Sequence, residues 1–523
     1  MKIKLFEKDW IYPLIVAIIG FFYYTSFVNY GISLSDEGFL VYGAERVLQG
    51  ELPMSDFISY PPGSYFLLAF LFKIFGVDLL ISRMMEIFFL LLNGLMMFYV
   101  GKRLMPERWA LIPSFILIAF PGPWHKVFFA FGLLLPLVAL FLFLEKGTKL
   151  RILTVGWCLG IALVFKIECF IFSFITVLVV LFVNHILQSG YFFVNKRIVF
   201  IILRNLSLCL LGLFSIVIFF VLYYHFKSGL PKLFYSLEEA NLANVAAIAE
   251  YFGRPSLLKA VTRFRIGSLS HLFFYLIVLL YLYLFVKHLI NFHKRDTGGY
   301  SSLVYPVLIM GMVSLTYAYI TRGKAYLFQV GAMPYILFVF LVHSFSKRRG
   351  VRPILILFLL VFLLGLYVLD SFRWKPHFYS GSISRLYAIR KEGAKVLGTK
   401  KAEVYLGERD FNNINDLIQF LQRKRDYLLP VYFDPMVNFL SDCRNPTRFS
   451  ILQTFFFEDA LKQEQIISEI QRYKIRYLLV ETARWNSQDS FGLSIYAPQF
   501  YEFIVKYYRL EKEIGEYLIF VRI

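Results

Sequence analysis

A chain of 523 residues that is 58% hydrophobic, 19% aromatic and only 17% charged, with a mean hydropathy of +0.62, exceeds the roughly 45–50% apolar share of soluble domains and reads as an integral membrane protein. Its formal charge of +20 must crowd into the loops, where basic residues mark cytoplasmic faces. No RNA- or DNA-reading motif accompanies that charge, so no nucleic-acid partner is expected.

In chain order, Lys2, Lys4 and Lys8 precede an apolar run from Ile11 to Val28. The run is long and aromatic-rich and lacks an A-x-A cleavage site, so it reads as a retained first helix rather than a signal peptide. At about 20 mostly apolar residues per span, helices are predicted near 11–30, 84–100, 109–122, 127–144, 152–165, 168–187, 199–224, 268–286, 302–320, 325–345 and 353–370. That makes about eleven. The basic clusters around Lys102–Arg103, Lys146–Arg151, Lys196–Arg204, Lys294–Arg295 and Lys347–Arg352 then share one side with Lys2, Lys4 and Lys8. Under the positive-inside rule the N-terminus lies in the cytoplasm and the C-terminal tail outside.

The opposite side collects the unusual loops, 31–83, 225–267 and 321–325, and the tail from about 371. The chain is thus expected to divide into a membrane domain, 1–370, with its first external loop at 31–83, and an external domain, 371–523. "SYFLLAFLFKIF" in the first loop follows Pro61, Pro62 and Gly63 and is too short to span; it reads as an interfacial or re-entrant helix. In the second loop, "LEEANLANVAAIAEYFGRP" is helix-like, with Gly253 and Pro255 as stop signals. The tail alternates strands ("AEVYL", "YLLPVYF", "IRYLLVE", "YLIFVRI") with the helical "FEDALKQEQIISEIQRYK", the pattern of a small α/β domain. It offers no cluster of nucleophile, base and orienting acid, so support or acceptor docking is its expected role.

Chemistry concentrates in the first loop, where Asp36, Glu37, Glu45, Glu51 and Asp56 follow directly on the first span. From Asp36 to Gln49 the pattern is amphipathic: Phe39, Leu40, Ala44, Val47 and Leu48 on one face, Glu45, Arg46 and Gln49 toward water, with Gly50 ending the run. A helix N-terminus favours an acid by about 0.3–1 kcal/mol, which accounts for one carboxylate more comfortably than for Asp36, Glu37 and Asp56 together. Glu45 and Glu51 are most simply solvated. Cationic partners are available: "GIALVFKIECF" sets Lys166 and Glu168 between two apolar runs, where ionisable groups are expensive and usually functional, although a plain interfacial ion pair is the simpler reading. Arg322 and Lys324 lie in the loop 321–325. Carboxylates facing cations beside lipid suit a reaction in which a base takes a hydroxyl proton while cations stabilise a departing phosphate. A lipid phosphate is the natural donor at that depth.

The four cysteines form neither a disulfide framework nor a zinc spacing, the eight histidines make no HxH or HExxH pair, and there is no Walker loop or GxGxxG run.

The composite of Asp36-Glu37-Gly38, Tyr42, Ala44, Arg46, Gly50, Pro53, Asp56-Phe57 and Pro61-Pro62-Gly63-Ser64-Tyr65 resembles the first external loop of GT-C superfamily glycosyltransferases. It is closest to the branch that holds the protein O-mannosyltransferases and the aminoarabinose transferases of lipid A. The resemblance implies a mainly α, polytopic GT-C-type membrane protein with a C-terminal α/β extramembrane domain. It also implies transfer of a hexosyl or pentosyl group from a polyprenyl-phosphate donor, with inversion, to a glycan, lipid or protein acceptor on the periplasmic or lumenal face. Asp36 matches the family's catalytic acid, Glu37 adjoins it, and Asp56 stands at a recurrent Asp-Phe position. Where the aminoarabinose branch has Glu-Lys before its Pro-Pro, this chain has Ser59-Tyr60, so that branch's metal-ligand Glu and phosphate-facing Lys have no counterpart. No cofactor is therefore assigned; a divalent cation is compatible with the acids but has no named ligand set. Lys166, Arg322 and Lys324 are the candidates to meet the donor phosphate. The rival readings are a transporter or flippase of lipid-linked glycans, which calls for internal repeats that are not seen, and a non-catalytic envelope assembly protein. Asn445 is followed by Pro446, so the external segments carry no usable sequon, which favours a bacterial inner membrane over the endoplasmic reticulum.

Overall fold

The computed structural model of the protein describes residues 10–120, 126–189, 196–229, 266–293, 301–320, 331–346, 383–452, 454–457, 460–487 and 492–523. The described residues fall into two compact units. One draws on Met1–Ser26, Glu86–Phe226 and Tyr251–Trp374, the other on Phe27–Met85, Lys227–Glu250 and Lys375–Ile523.

Among the described residues, twelve helices precede the tail: α1 Ile11–Thr25, α2 Asp36–Leu48, α3 Gly63–Phe75, α4 Leu79–Leu104, α5 Glu107–Ala119, α6 Val127–Lys146, α7 Lys149–Phe165, α8 Ile167–Ser189, α9 Lys196–Ser228, α10 Ile266–His293, α11 Ser301–Ile320 and α12 Ala332–Ser346. Among the described residues, Leu79–Leu104, Val127–Lys146, Ile167–Asn184 and Val199–Ser228 are long and apolar enough to cross a membrane, and the apolar stretches Ile11–Thr25, Gly63–Phe75, Tyr275–Ile290, Leu303–Tyr317 and Ala332–Ser346 are shorter. The span expected at 353–370 lies outside the described residues. α3, with 13 residues, is about 20 Å long at 1.5 Å per residue, short of a hydrocarbon core of about 30 Å.

In the first unit, Leu140 and Phe143 of α6, Val155 and Leu159 of α7, and Val177 and Leu181 of α8 close on one another, with Cys209 and Leu213 of α9 completing the cluster. Small residues let the backbones meet. A Cβ on Gly156 of α7 would stand 2.0 Å from the Cys209 carbonyl oxygen, the kind of close approach that drives helix association in lipid.

The tail supplies β1 Lys395–Thr399, β2 Ala402–Leu406, β3 Leu428–Val431, β4 Tyr477–Glu481, β5 Tyr508–Ile514 and β6 Tyr517–Arg522, with helices α13 Ile383–Lys391, α14 Glu408–Lys424, α15 Pro435–Ser441, α16 Ala460–Arg472 and α17 Pro498–Tyr507. β1 and β2 form an antiparallel hairpin. The main sheet runs β3-β4-β6-β5, with β3 and β4 parallel and the other neighbours antiparallel. Leu429, Val431, Leu478 and Val480 on the sheet bury against Ile466 and Ile470 of α16 and Phe500 and Ile504 of α17. β3 and the first four residues of β4 are buried on both faces, which their runs of Leu and Val suit. This α/β tail agrees with the sequence reading.

The first loop is woven into the tail within the second unit. Gly31 N donates to the Tyr405 carbonyl (2.8 Å), Tyr405 N to Asn29 (2.8 Å), Ile58 N to Arg448 (2.9 Å) and Leu79 N to Lys401 (2.8 Å). These are main-chain bonds and so hold residues 29–79 whatever their side chains.

Candidate active site

α2 begins at Asp36, which is half-buried in its first turn, where the unpaired N–H groups and the dipole favour a negative charge. Three features fix that turn. Met436 N donates to the Leu34 carbonyl at 3.0 Å, joining the start of α15 to the approach to α2. Gly38 makes this possible, since a Cβ there would lie 2.3 Å from Met436 N. Phe39 packs edge-on against Tyr60 and Phe433, at centroid distances of 5.0 and 5.7 Å.

Glu37, next in the chain, is 1% exposed and takes both Arg83 Nε at 2.7 Å on Oε1 and Arg83 Nη2 at 3.1 Å on Oε2. Ser33 N adds a third bond at 3.2 Å. The same guanidinium donates to the carbonyls of Val28 (2.6 Å) and Gly31 (2.7 Å). A fork-on-fork pair of this kind is strong and directional. It ties the first turn of α2 to the segment that leads into it.

Asp56 lies one turn beyond α2, with Oδ2 accepting from Leu52 N at 2.8 Å. Inside that turn Met54 has φ 60°, and its N–H donates to Ser59 Oγ at 2.7 Å. Ser59 thus holds the turn where the aminoarabinose branch carries a Glu. Asp56 also borders a cavity of about 550 Å³, whose other walls come from Glu51, Ser55 and the tail.

The structure corrects three first-loop expectations. Arg46, read as facing water, is 1% exposed; it lies over the Phe57 ring at 4.5 Å and donates to Glu51 (2.7 Å), Ser450 (3.1 Å) and the Thr447 carbonyl (2.9 Å). Glu51, read as solvated, is held between Arg46 and Arg444, the latter at 2.7 Å. Glu45 binds Lys401 at 2.6 Å. The helical period identifies a charged face, but the tail, distant in sequence, supplies the partners that cover it.

A second acidic group stands at the carboxyl ends of β3 and β4, where ligand sites of open α/β sheets commonly form. Asp434 precedes α15 and accepts from the Tyr517 hydroxyl at 3.1 Å. Glu481 binds Arg484 at 3.0 Å, and that guanidinium lies over the Tyr432 ring. Burial and the Glu481 carboxylate push the Asp434 carboxyl up to about 7, against the opposing pull of Tyr517 and Arg484. Tyr432 itself has φ 134°, a left-handed conformation costly for an aromatic residue. Sequence reasoning missed this group because its members lie some 50 and 35 residues apart and only the sheet brings them together. Arg83 was more legible: a cation inside "LLISRMMEIFF" is the same anomaly as Lys166.

Lys166 and Glu168 belong to the first unit. Lys166 sits at the break between α7 and α8 in an extended conformation. Its Nζ is 3.5 Å from Glu168 Oε1, on which the Tyr317 hydroxyl also converges at 3.3 Å. The simpler ion-pair reading is thus present in the geometry. Arg322 and Lys324 lie outside the described residues. Among the described residues, no three His, Cys, Asp or Glu side chains gather into a group that could hold a metal ion.

No protein-family model and no curated protein matches the sequence. Solved structures do match the fold. The apo oligosaccharyltransferase of Archaeoglobus fulgidus aligns over 96% of this chain and 73% of its own at 12% identity, with a TM-score of 0.55. The oligosaccharyltransferase AglB of the same organism, in complex with an inhibitory peptide and a dolichol-phosphate, aligns over 98% and 74% at 12% identity, also at 0.55. ArnT from Cupriavidus metallidurans bound to undecaprenyl phosphate covers 98% of both chains at 11% identity with a TM-score of 0.49. The likeness is one of fold alone: the chain shares the fold of these archaeal oligosaccharyltransferases.

Proposed function

We propose that the protein is an inverting membrane glycosyltransferase, which moves a sugar from a polyprenyl-phosphate donor to a hydroxyl-bearing glycan, lipid or protein acceptor at the outer face of the inner membrane. The observation that carries this reading is Asp36: a half-buried carboxylate in the first turn of a helix whose start is pinned by Glu37, Arg83 and Met436, within a GT-C fold. The dolichol-phosphate in the AglB complex supports a lipid-phosphate donor.

The chemistry follows from placing such a base beside a phosphate leaving group. Asp36 accepts the proton of the acceptor hydroxyl, whose oxygen bonds to the anomeric carbon from the face opposite the phosphate. The bond from that carbon to the phosphate oxygen breaks, and its electron pair leaves with the lipid phosphate. Cationic groups then stabilise the growing negative charge, a role assigned to Lys166 and to Arg322 and Lys324. Glu37 acts through Asp36 as a positioning residue, because its lone pairs are engaged with Arg83 and Ser33. Asp56 serves on the acceptor side. The N-terminus is cytoplasmic and the tail external.

Two measurements test the proposal. Deletion of the gene followed by mass spectrometry of lipid-linked sugars and surface glycans should show one polyprenyl-phosphate sugar accumulating and one glycan residue lost. Asp36→Asn should reproduce that phenotype, with transfer reduced by about 10²-fold or more while expression and membrane insertion are kept. Normal glycans in the Asp36→Asn strain would remove Asp36 from the mechanism.

A further inference from the structure

The cavity beside Asp56, about 550 Å³, lies in the range of about 300–1,000 Å³ typical of small-molecule sites, and its lining is chemically selective. Arg444, Arg448 and Arg472 present guanidinium groups, which only donate hydrogen bonds; Glu51, Asp56 and Glu469 present carboxylates, which when ionised only accept. Both kinds are held in place. Arg444 Nη2 is 2.7 Å from Glu51 Oε1, Glu469 Oε2 accepts from Arg448 N at 2.7 Å, and Asp56 is fixed on Leu52 N. Tyr427 and Tyr473 add aromatic surface, with Arg472 5.3 Å from the Tyr473 ring centre.

Ser55 adds an unsatisfied polar group at the edge of this space. Ser55 borders the cavity and is 3% exposed, and its buried Oγ has no hydrogen-bond partner within the protein. A buried hydroxyl without a partner calls for an explanation, and a water or ligand in the adjoining space would supply one.

The lining discriminates among ligand classes. A phosphate brings negative charge and mostly acceptors and would meet three carboxylates; a metal cation or polyamine would meet three guanidinium groups. A ligand whose groups both donate and accept suits the two sets together, and a hydroxyl does both. Closely spaced hydroxyls on a ring with an apolar face, which the tyrosines can cover, describe a sugar.

The geometry points to a saccharide-binding site in this cavity, formed jointly by the turn at Ser55–Asp56 and the tail, that holds a neutral glycan. Its use as the acceptor subsite rests on the transfer reading above, whereas saccharide binding itself does not.

The test uses the full chain in lipid nanodiscs and saturation-transfer NMR. Probes are neutral trisaccharides of glucose, galactose, mannose, rhamnose and N-acetylglucosamine, with inorganic phosphate in parallel. At least one trisaccharide should bind saturably. Arg472→Ala should weaken that binding about tenfold or more, the scale of one lost charged hydrogen bond, and Ser55→Ala should weaken it by less. Both variants should melt as the wild type does, and Asp36→Asn should still bind. Failure of every trisaccharide to bind, phosphate binding in their place, or unchanged affinity in both cavity variants overturns the site. Intact binding with no transferase phenotype on gene deletion sinks the acceptor role and the transfer reading while leaving the saccharide site standing.

Discussion

Asp36 and Glu37 are neighbours of the same charge type, yet the structure gives them opposite surroundings, and a pair of amide substitutions separates their roles. Glu37→Gln leaves the Arg83 guanidinium buried opposite a neutral side chain, and loss of one partner from a buried ion pair costs about 3–5 kcal/mol. Asp36→Asn removes a half-buried charge at a helix start, worth about 0.3–1 kcal/mol. Thermal unfolding in nanodiscs should therefore show a large loss for Glu37→Gln and a small one for Asp36→Asn, while transfer is lost in both. A Glu37→Gln protein that melts normally but transfers no sugar would instead place Glu37 in the chemistry. The sequence could single out these two acids, because charge next to an apolar run is visible in one dimension. The family resemblance put Asp36 first, but the physical ground for that order, Arg83 on Glu37, lies 46 residues further on and shows only in the structure. Arg46 shows the same limit: its helical position suits solvent, and its burial depends on Thr447 and Ser450 of the tail as well as on Glu51.

Among elements, α15 and β4 carry a pH response. Asp434, at the entry to α15, faces Glu481 at the end of β4, with Arg484 and Tyr517 closing the group. Its carboxyl is pushed from the usual 3.8 up to about 7, so between those values the folded tail holds a proton that the unfolded chain releases. Stability from this group is fully present below about pH 4 and is lost as pH rises through about 7. The melting temperature of the wild type relative to Asp434→Asn should accordingly fall between pH 5 and pH 8. A difference that is flat or rises with pH would mean that Asp434 is charged in the folded protein. Helix periods and strand composition made the elements on either side of this group legible, down to the α/β character of the tail. Their pairing was not, because the order β3-β4-β6-β5 is set by contacts between segments far apart in the chain.

At the scale of the whole molecule, hydropathy reveals the membrane helices because lipid imposes one requirement on every span, whereas the fate of the first loop depends on partners in the tail. The loop read as part of the membrane domain shares a compact unit with residues 375–523, and main-chain bonds from Asn29 to Leu79 join it to that tail. If the tail is external, residues 31–83 must therefore be external with it, which turns the charge rule into a test of where Asp36 works. The four native cysteines are buried, so introduced thiols can be labelled against a low background. Arg409→Cys places a thiol at a tail position whose side chain is 80% exposed, and Lys149→Cys places one at the exposed first residue of α7. A membrane-impermeant maleimide added to intact spheroplasts should label the cysteine at 409 and reach the one at 149 only after lysis. The reverse pattern would put the tail, and Asp36 with it, in the cytoplasm, where a donor presented at the outer face could not be used.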